Sequence, residues 1–344
     1  MTGEPSGAAL WALCLGLGIL PVLCYLLALV VLDSYKLVRL RWVVAAVAAG
    51  VLVALACLAI HPALLRWTGA TPAAYSGLQA PAIEEALKGL VIFAAIWRRR
   101  VGFLVDAAIL GFAVGAGFAA TENLYYFLAL DSPRILLWTL RGFGAAIMHG
   151  GATALLAVVT KALTDRADSP APHLVLPGFL LAAGVHSVFN HLTTTPILST
   201  TGLLVALPVV FTLVFRLSEA ATHEWLGTGF DSDQELLETI NGGRILETRV
   251  GGYLEGLKHR FPPDKVADML CLIRLQLELS IRAKGVLLMR KAGFTPPPDP
   301  EVEERFSELR YLRKSIGKTG YRALQPIFSM SGRDLWQFHA LGRM

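Results

Sequence analysis

Acidic and imidazole side chains recur inside stretches of this chain that are otherwise apolar. They are Glu84 and Glu85 with Lys88, Glu122 with Asn123, His149, and His186 with Asn190. A charged side chain at the centre of a bilayer costs about 2.5–3.5 kcal/mol on insertion scales, so such residues are rare in membrane spans and usually functional. Carboxylates and imidazoles are also the groups that hold metals and take protons from water. Glu84 and Lys88 stand at i,i+4 and can pair on one helix face. Glu85 points about 100° away from Glu84, toward a different neighbour. One acid can thus be held ionised while the other is free to act on water. His186 and Asn190 also stand at i,i+4. An imidazole and an amide on one face can hold a metal or donate to a developing oxyanion. The plain alternatives are an interfacial Glu–Lys pair that snorkels to the surface, a satisfied buried histidine, and an Asn123 that only bonds a neighbouring helix.

The elements that carry these residues read as membrane helices. The chain is 54% hydrophobic and 17% charged over 344 residues, with a mean hydropathy of +0.55. Residues 1–217 hold 13 Lys+Arg and 9 Asp+Glu, whereas residues 218–344 hold 18 and 17. The second part has the charge density of a soluble domain and the first does not. The net charge of +5 marks no nucleic-acid partner, because no basic face interleaved with aromatics stands out. Cys14, Cys24, Cys57 and Cys271 form no C-x-x-C pair, which argues against a disulfide framework and a cysteine zinc site.

The first apolar run, from about Ala8 to Val31, has no basic residues ahead of it and is too long for a signal-peptide core. It reads as a retained span. Six further stretches follow at roughly 42–61, 80–97, 104–129, 135–161, 174–192 and 197–216, each near the ~20 residues a bilayer requires. The expected fold is all-α, a polytopic transmembrane bundle of about seven spans over residues 1–217, with a cytoplasmic helical domain over 218–344. Basic residues gather in alternate loops, at Lys36, Arg39 and Arg41, at Arg98, Arg99 and Arg100, and at Lys161 and Arg166. The positive-inside rule places the N-terminus outside the cell membrane and the tail in the cytoplasm. Glu84, Glu122, His149 and His186 then all fall in the outer half of the membrane, roughly 6–20 Å deep at 1.5 Å per residue. Convergence at one depth is what a single site requires. Gly111 and Gly115 form a G-x-x-x-G face on which another helix can approach closely, and Gly150 and Gly151 clear space beside His149.

Taken in order, Glu-Glu-x-x-Lys at 84–88, Gly-x-Gly-Phe-x-x-x-Glu-Asn at 115–123, Met-His at 148–149 and His-x-x-x-Asn at 186–190 resemble the PrsW family of intramembrane proteases. That family is similar to the wider CAAX prenyl endopeptidase (Abi) group. The resemblance covers roughly residues 75–195, and Glu122-Asn123 favours PrsW over the prenyl endopeptidases. It implies an intramembrane endopeptidase, with an anti-sigma-factor-like single-span membrane protein as substrate.

Two mechanisms fit. In one, which the family's description as metalloproteases implies, Glu85, Glu122, His149 and His186 hold a divalent metal such as zinc, which lowers the pKa of bound water. In the other, which the prenyl endopeptidase likeness implies, Glu85 or Glu84 is a general base without metal. His149 then orients the water, and His186 with Asn190 forms the oxyanion hole. Lys88 and Asn123 support either site. The reading leans to the metal-free form and leaves the cofactor open. A rival from another class is a transporter with an intramembrane Glu/His relay, but no internal repeat supports it.

In the tail, helices are expected at about 233–260, 263–292 and 300–318, with Val266, Met269, Leu270, Ile273, Leu277 and Ile281 at helical spacing. No catalytic constellation stands out there. Trp336 and His339 read as packing or surface residues, and the tail's partner is unknown.

Overall fold

The computed structural model describes residues 7–33, 35, 38–130, 134–167, 170–191, 195–295, 297, 299–324, 326–327 and 341. Lys36, Trp336 and His339 lie outside the described residues. Among the described residues every regular element is helical. Contacts divide the chain into two units, with the boundary between Ser218 and Glu219.

The first unit is the membrane bundle. Helices α1 (Gly7–Leu32), α2 (Leu40–Thr68), α3 (Ala80–Trp97), α4 (Leu104–Ala129), α5 (Ile135–Arg166), α6 (Leu176–Asn190) and the first part of α7 (Pro196–Asn241) build it. Large apolar side chains such as Leu27, Leu52 and Val205 are exposed on its perimeter, as expected where lipid replaces water as the solvent. The centre is α4, in which every residue from Val105 to Ala119 is buried. A helix apolar all round belongs in the interior of a bundle.

Glycines set how close the neighbours of α4 come. A Cβ on Gly115 would sit 2.3 Å from the carbonyl oxygen of His149, and one on Gly111 would sit 2.8 Å from Cα of Ala154. On another side, a Cβ on Gly117 would sit 2.0 Å from the Val47 carbonyl oxygen, and Gly50 of α2 returns the same approach to Val114. The G-x-x-x-G face thus receives α5, the helix that carries His149. That is the van der Waals packing by which helices associate where no hydrophobic force drives them together.

Among the described residues, six of the seven expected spans are helices long and apolar enough by themselves to cross a membrane. The exception is α3. It is 18 residues long and carries Glu84, Glu85 and Lys88, and its polar side chains are turned inward, with Glu85 and Lys88 fully buried. Two π-helical turns interrupt the regular ladder. One, Tyr75–Gln79, runs directly into α3, and the other, Arg141–Ala146, lies inside α5. Single π turns in α-helices concentrate at functional sites, and these two precede Glu84 and His149.

The second unit is helical too. The expected helix over 233–260 is divided. Helix α7 continues from the bundle to Asn241, the chain turns at Gly242 and Gly243, and α8 (Arg249–Leu257) comes next. Gly243 has a φ of 71°, a conformation that favours glycine. Helices α8, α9 (Pro263–Lys291) and α10 (Glu301–Ala323) bury one core that includes Leu254, Met269, Leu272, Leu279, Phe306 and Leu309. Leu270 and Leu277 lie at its margin, because Leu272, Gln276 and Leu279 take the inward positions on α9. Arg282 of α9 bonds Asp299 and Glu301 across the proline-rich break, and the Glu301 hydrogen bond, with Asp299 beside it, raises its pKa above the usual value against a smaller desolvation effect.

Gly115→Ala should lower the melting temperature of the purified protein in detergent, since overpacking against backbone costs about 1–3 kcal/mol. Gly184→Ala is the control, because nothing lies within 4 Å of that position and alanine is the better helix former. Equal melting of both variants would contradict the close α4–α5 approach.

Candidate active site

Four helices bring their polar side chains to one end of the bundle. Glu84, Glu85 and Lys88 come from the start of α3, Glu122 from the last third of α4, His149 from the middle of α5, and His186 from the end of α6. Because consecutive helices alternate in direction, these positions share one level.

Lys88 is the hub. Its Nζ donates to Glu85 Oε1 at 2.7 Å and lies 3.0 Å from His149 Nδ1, with the Phe118 ring 3.9 Å away. Glu85 accepts three bonds in all. The others come from the Thr153 hydroxyl at 3.3 Å and from His186 Nδ1 at 3.1 Å. Glu122 Oε2 lies 3.2 Å from His149 Nε2. The two imidazoles meet edge to face, with centroids 4.5 Å apart and planes at 83°.

These partners settle the tautomers. An ammonium only donates, so His149 Nδ1 accepts from Lys88, and its Nε2–H donates to Glu122. A carboxylate only accepts, so His186 Nδ1–H donates to Glu85, which in the neutral ring leaves the lone pair on Nε2. That lone pair faces Glu84 Oε2 at 3.9 Å. Glu84 Oε2 is buried and has no hydrogen-bond partner.

Arg141, at the start of the second π turn, braces Glu122. Its Nη2 lies 3.3 Å from Glu122 Oε2, its Nε donates to Asn123 Oδ1 at 2.8 Å, and its guanidinium covers the Tyr126 ring at 4.0 Å. Asn123 Nδ2 in turn donates to the Gly18 carbonyl of α1 at 2.6 Å. Asn123 is therefore an interhelical tie. Arg141 is not among the candidates that the sequence singles out. Its place at the head of an apolar glycine-rich run was the signal available.

A cavity of about 400 Å³ opens onto the cluster. Glu84, Glu122 and Asn190 line it, as do His61, Tyr75 and Tyr126. Asn190 spends one amide N–H on the Ser76 carbonyl at 2.9 Å and has a second to give. His191 is exposed and bonds the Ser187 carbonyl of its own helix turn.

Glu85 does not reach this cavity wall. It is fully buried among Lys88, Thr153 and His186. Of the metal set expected from the sequence, Glu85, Glu122, His149 and His186, the two histidines belong to the most compact group of ligand atoms among the described residues. The compact group is Glu84, His149 and His186, whose ligand atoms lie within 4.8 Å of one another. Glu85 stands behind His186, as carboxylates commonly stand behind metal-binding histidines.

Charge makes the same selection. The cluster holds three carboxylates, Glu84, Glu85 and Glu122, against two cations, Lys88 and Arg141. Lys88 is committed to Glu85, and Arg141 lies against Glu122. Glu84 carries the uncompensated charge, with Lys88 4.0 Å away and His186 presenting a lone pair. A buried carboxylate oxygen beside a bare imidazole nitrogen requires a cation or a proton between them. The donor set therefore fits a divalent metal.

Searches of curated proteins and of solved structures return no match. Residues 38–215 match the family described as PrsW family intramembrane metalloprotease. The match covers half of the chain and all of the clustered residues, so this integral membrane protein is a peptidase and belongs to the PrsW family of intramembrane metalloproteases.

Proposed function

We propose that the protein cleaves a single-span membrane protein near the outer face of the cell membrane, at the cavity beside Glu84, and that Glu84 and His186 would hold the metal, with His149, whose two nitrogens are engaged by Lys88 and Glu122, beside them. The observation that carries this is the buried, unpartnered Oε2 of Glu84 facing the bare Nε2 of His186. A divalent metal bound there supplies Lewis acidity toward the scissile carbonyl and a lowered pKa for water.

The chain's own groups supply the remainder. Glu122 lies on the cavity wall beside His149 Nε2, where it can accept a proton from the attacking water and pass it to the leaving amine. Asn190 can donate its second N–H to the developing oxyanion. Glu85 orients His186, and Lys88 orients His149 and neutralises Glu85. The aromatic and apolar remainder of the wall suits an unwound stretch of a membrane segment. An anti-sigma-factor-like regulator is the substrate class the family resemblance implies. The cluster lies at the end of the bundle away from Arg98, Arg99 and Arg100, and the positive-inside rule makes that the outer end. The tail faces the cytoplasm, with a partner of its own.

A metal-free glutamate mechanism is the second reading. Lys88, 3.0 Å from His149, already places a positive charge in the ring of ligands, and a proton held on His186 Nε2 would offset the charge on Glu84 while leaving it ionised. Glu84 would then be the general base.

Exhaustive chelation should remove cleavage of a single-span reporter, and zinc should restore it. Undiminished cleavage after chelation would favour the metal-free form.

Glu84→Gln and Glu85→Gln should part in stability. Glu84→Gln removes an uncompensated charge, so the metal-free protein should melt at or above the wild-type temperature while activity is lost, the usual trade of stability for function at an active site. Glu85→Gln strands Lys88 and should cost about 3–5 kcal/mol. Equal melting temperatures would contradict the charge assignment.

A topology reporter fused after Arg100 should read cytoplasmic. A reading on the opposite side would invert the orientation and move the cleavage site to the inner face.

A further inference from the structure

Two residues on the cavity wall have no part in the proposed chemistry. His61 comes from the last third of α2, and Tyr75 opens the π turn ahead of α3. The Tyr75 hydroxyl lies 2.7 Å from His61 Nδ1, and the rings meet edge-on at 5.6 Å and 85°. On its other side, His61 Nε2 lies 3.3 Å from Glu84 Oε1. Tyr75 is buried at 5% exposure.

We infer that His61 and Tyr75 form a positioning relay for Glu84, fixing Oε1 so that Oε2 faces the two imidazoles. The inference rests on Glu84 being a site carboxylate. A tyrosine hydroxyl can donate or accept, so either imidazole tautomer closes the contact between Tyr75 and His61. Only one suits Glu84. With Nδ1 bare, Tyr75 donates to it, and Nε2–H points to the carboxylate. The opposite tautomer would set two lone pairs against each other at 3.3 Å in a buried place, which is costly.

Nε2 is not aligned as a hydrogen bond to any acceptor. The contact is an electrostatic approach, of the kind that tightens when a site is filled. His61 thus stands behind Glu84 as Glu85 stands behind His186, and each ligand has an outer partner that fixes which atom faces inward. The relay also explains the π turn. Tyr75–Gln79 runs directly into the helix that bears Glu84, so the partner of His61 and the carboxylate it holds belong to one continuous helical segment.

The test uses the full chain in detergent with two readouts. One is titration with cobalt alone, followed by its absorption spectrum. The other is kcat and KM on a single-span reporter. His61→Leu should weaken cobalt binding by about 10–100-fold and lower kcat by a similar factor with KM within about twofold. His61→Gln, whose amide N–H can replace Nε2–H, should restore most of both. Tyr75→Phe should give a smaller loss, and no further loss in the His61→Leu background, since residues acting through one relay are non-additive.

Glu84→Gln is the reference. If it abolishes both readouts while His61→Leu leaves kcat and cobalt binding within about twofold of wild type, the relay is wrong and the site reading stands. If Glu84→Gln itself leaves both unchanged, the site reading fails and the relay with it. Full additivity of Tyr75→Phe and His61→Leu also overturns the relay. Should His61→Leu fail to fold, Tyr75→Phe, which removes one oxygen, carries the same two measurements.

Discussion

A lysine ammonium with no exposed surface, inside a bundle that spans lipid, is the constraint on which the candidate site depends. An unpaired charge buried in this way would cost several kcal/mol. Lys88 is tolerated because Glu85 takes one of its protons in a short bond, His149 accepts another, and the face of Phe118 receives it on a third side. Each of those partners is fixed in return. Lys88 decides the tautomer of His149, Glu85 decides that of His186, and the two imidazoles come to rest edge to face. One buried ion pair therefore fixes the hydrogen-bond partners of both histidines. The charge left over falls on Glu84, the carboxylate nearest the cavity.

Such a cluster needs four helices at sub-ångström tolerance, and the bundle achieves this with backbone rather than with large side chains. The contact between α4 and α5 runs through Gly111 and Gly115, so the His149 carbonyl rests where a Cβ would otherwise be. The contact between α2 and α4 runs through Gly50 and Gly117 in the same way. Rigid approach of this kind suits a site whose geometry must not relax, because packed backbones have little room to give. The π turns work in the opposite sense. Each inserts a residue and so rotates the helix beyond it, turning Glu84 and His149 inward at a cost in helix regularity. Regularity is given up where function demands a particular direction.

The sequence made the general plan legible. Intramembrane acids and histidines at one depth pointed to one site, and a G-x-x-x-G face pointed to a close helix neighbour. What it left undecided were rotations and pairings. From spacing alone Glu84 was the partner of Lys88, at i,i+4; in the structure Lys88 bonds Glu85, at i,i+3, and stands 4.0 Å from Glu84. Both spacings place side chains on one helix face, and the choice between them is made by Thr153 and His186 on other helices, which spacing does not encode. Helix α3 was counted as a span by length, although its charges make it apolar only on its outer side. Arg141 and His61 were missed for a related reason. Each is one polar residue in an apolar run, and only the neighbours across the bundle give it a partner. In the tail, the break at Gly242-Gly243 was overlooked, because the apolar periodicity on both sides of it resembles one helix.

The orphaned oxygen of Glu84 links stability to chemistry. Lys88, Glu85 and Glu122 are each paired within the protein, and paired groups have less reason to act on a substrate. Glu84 is held on one oxygen's side by His61 and left bare on the other. A fold that placed all its charges in pairs would be more stable and would offer nothing to a metal or a water molecule. The bundle instead leaves one carboxylate oxygen at the mouth of its cavity without an internal partner. It can carry that cost because the surrounding pairs, and the glycine-packed helices that hold them, are strong enough to keep Glu84 from turning away.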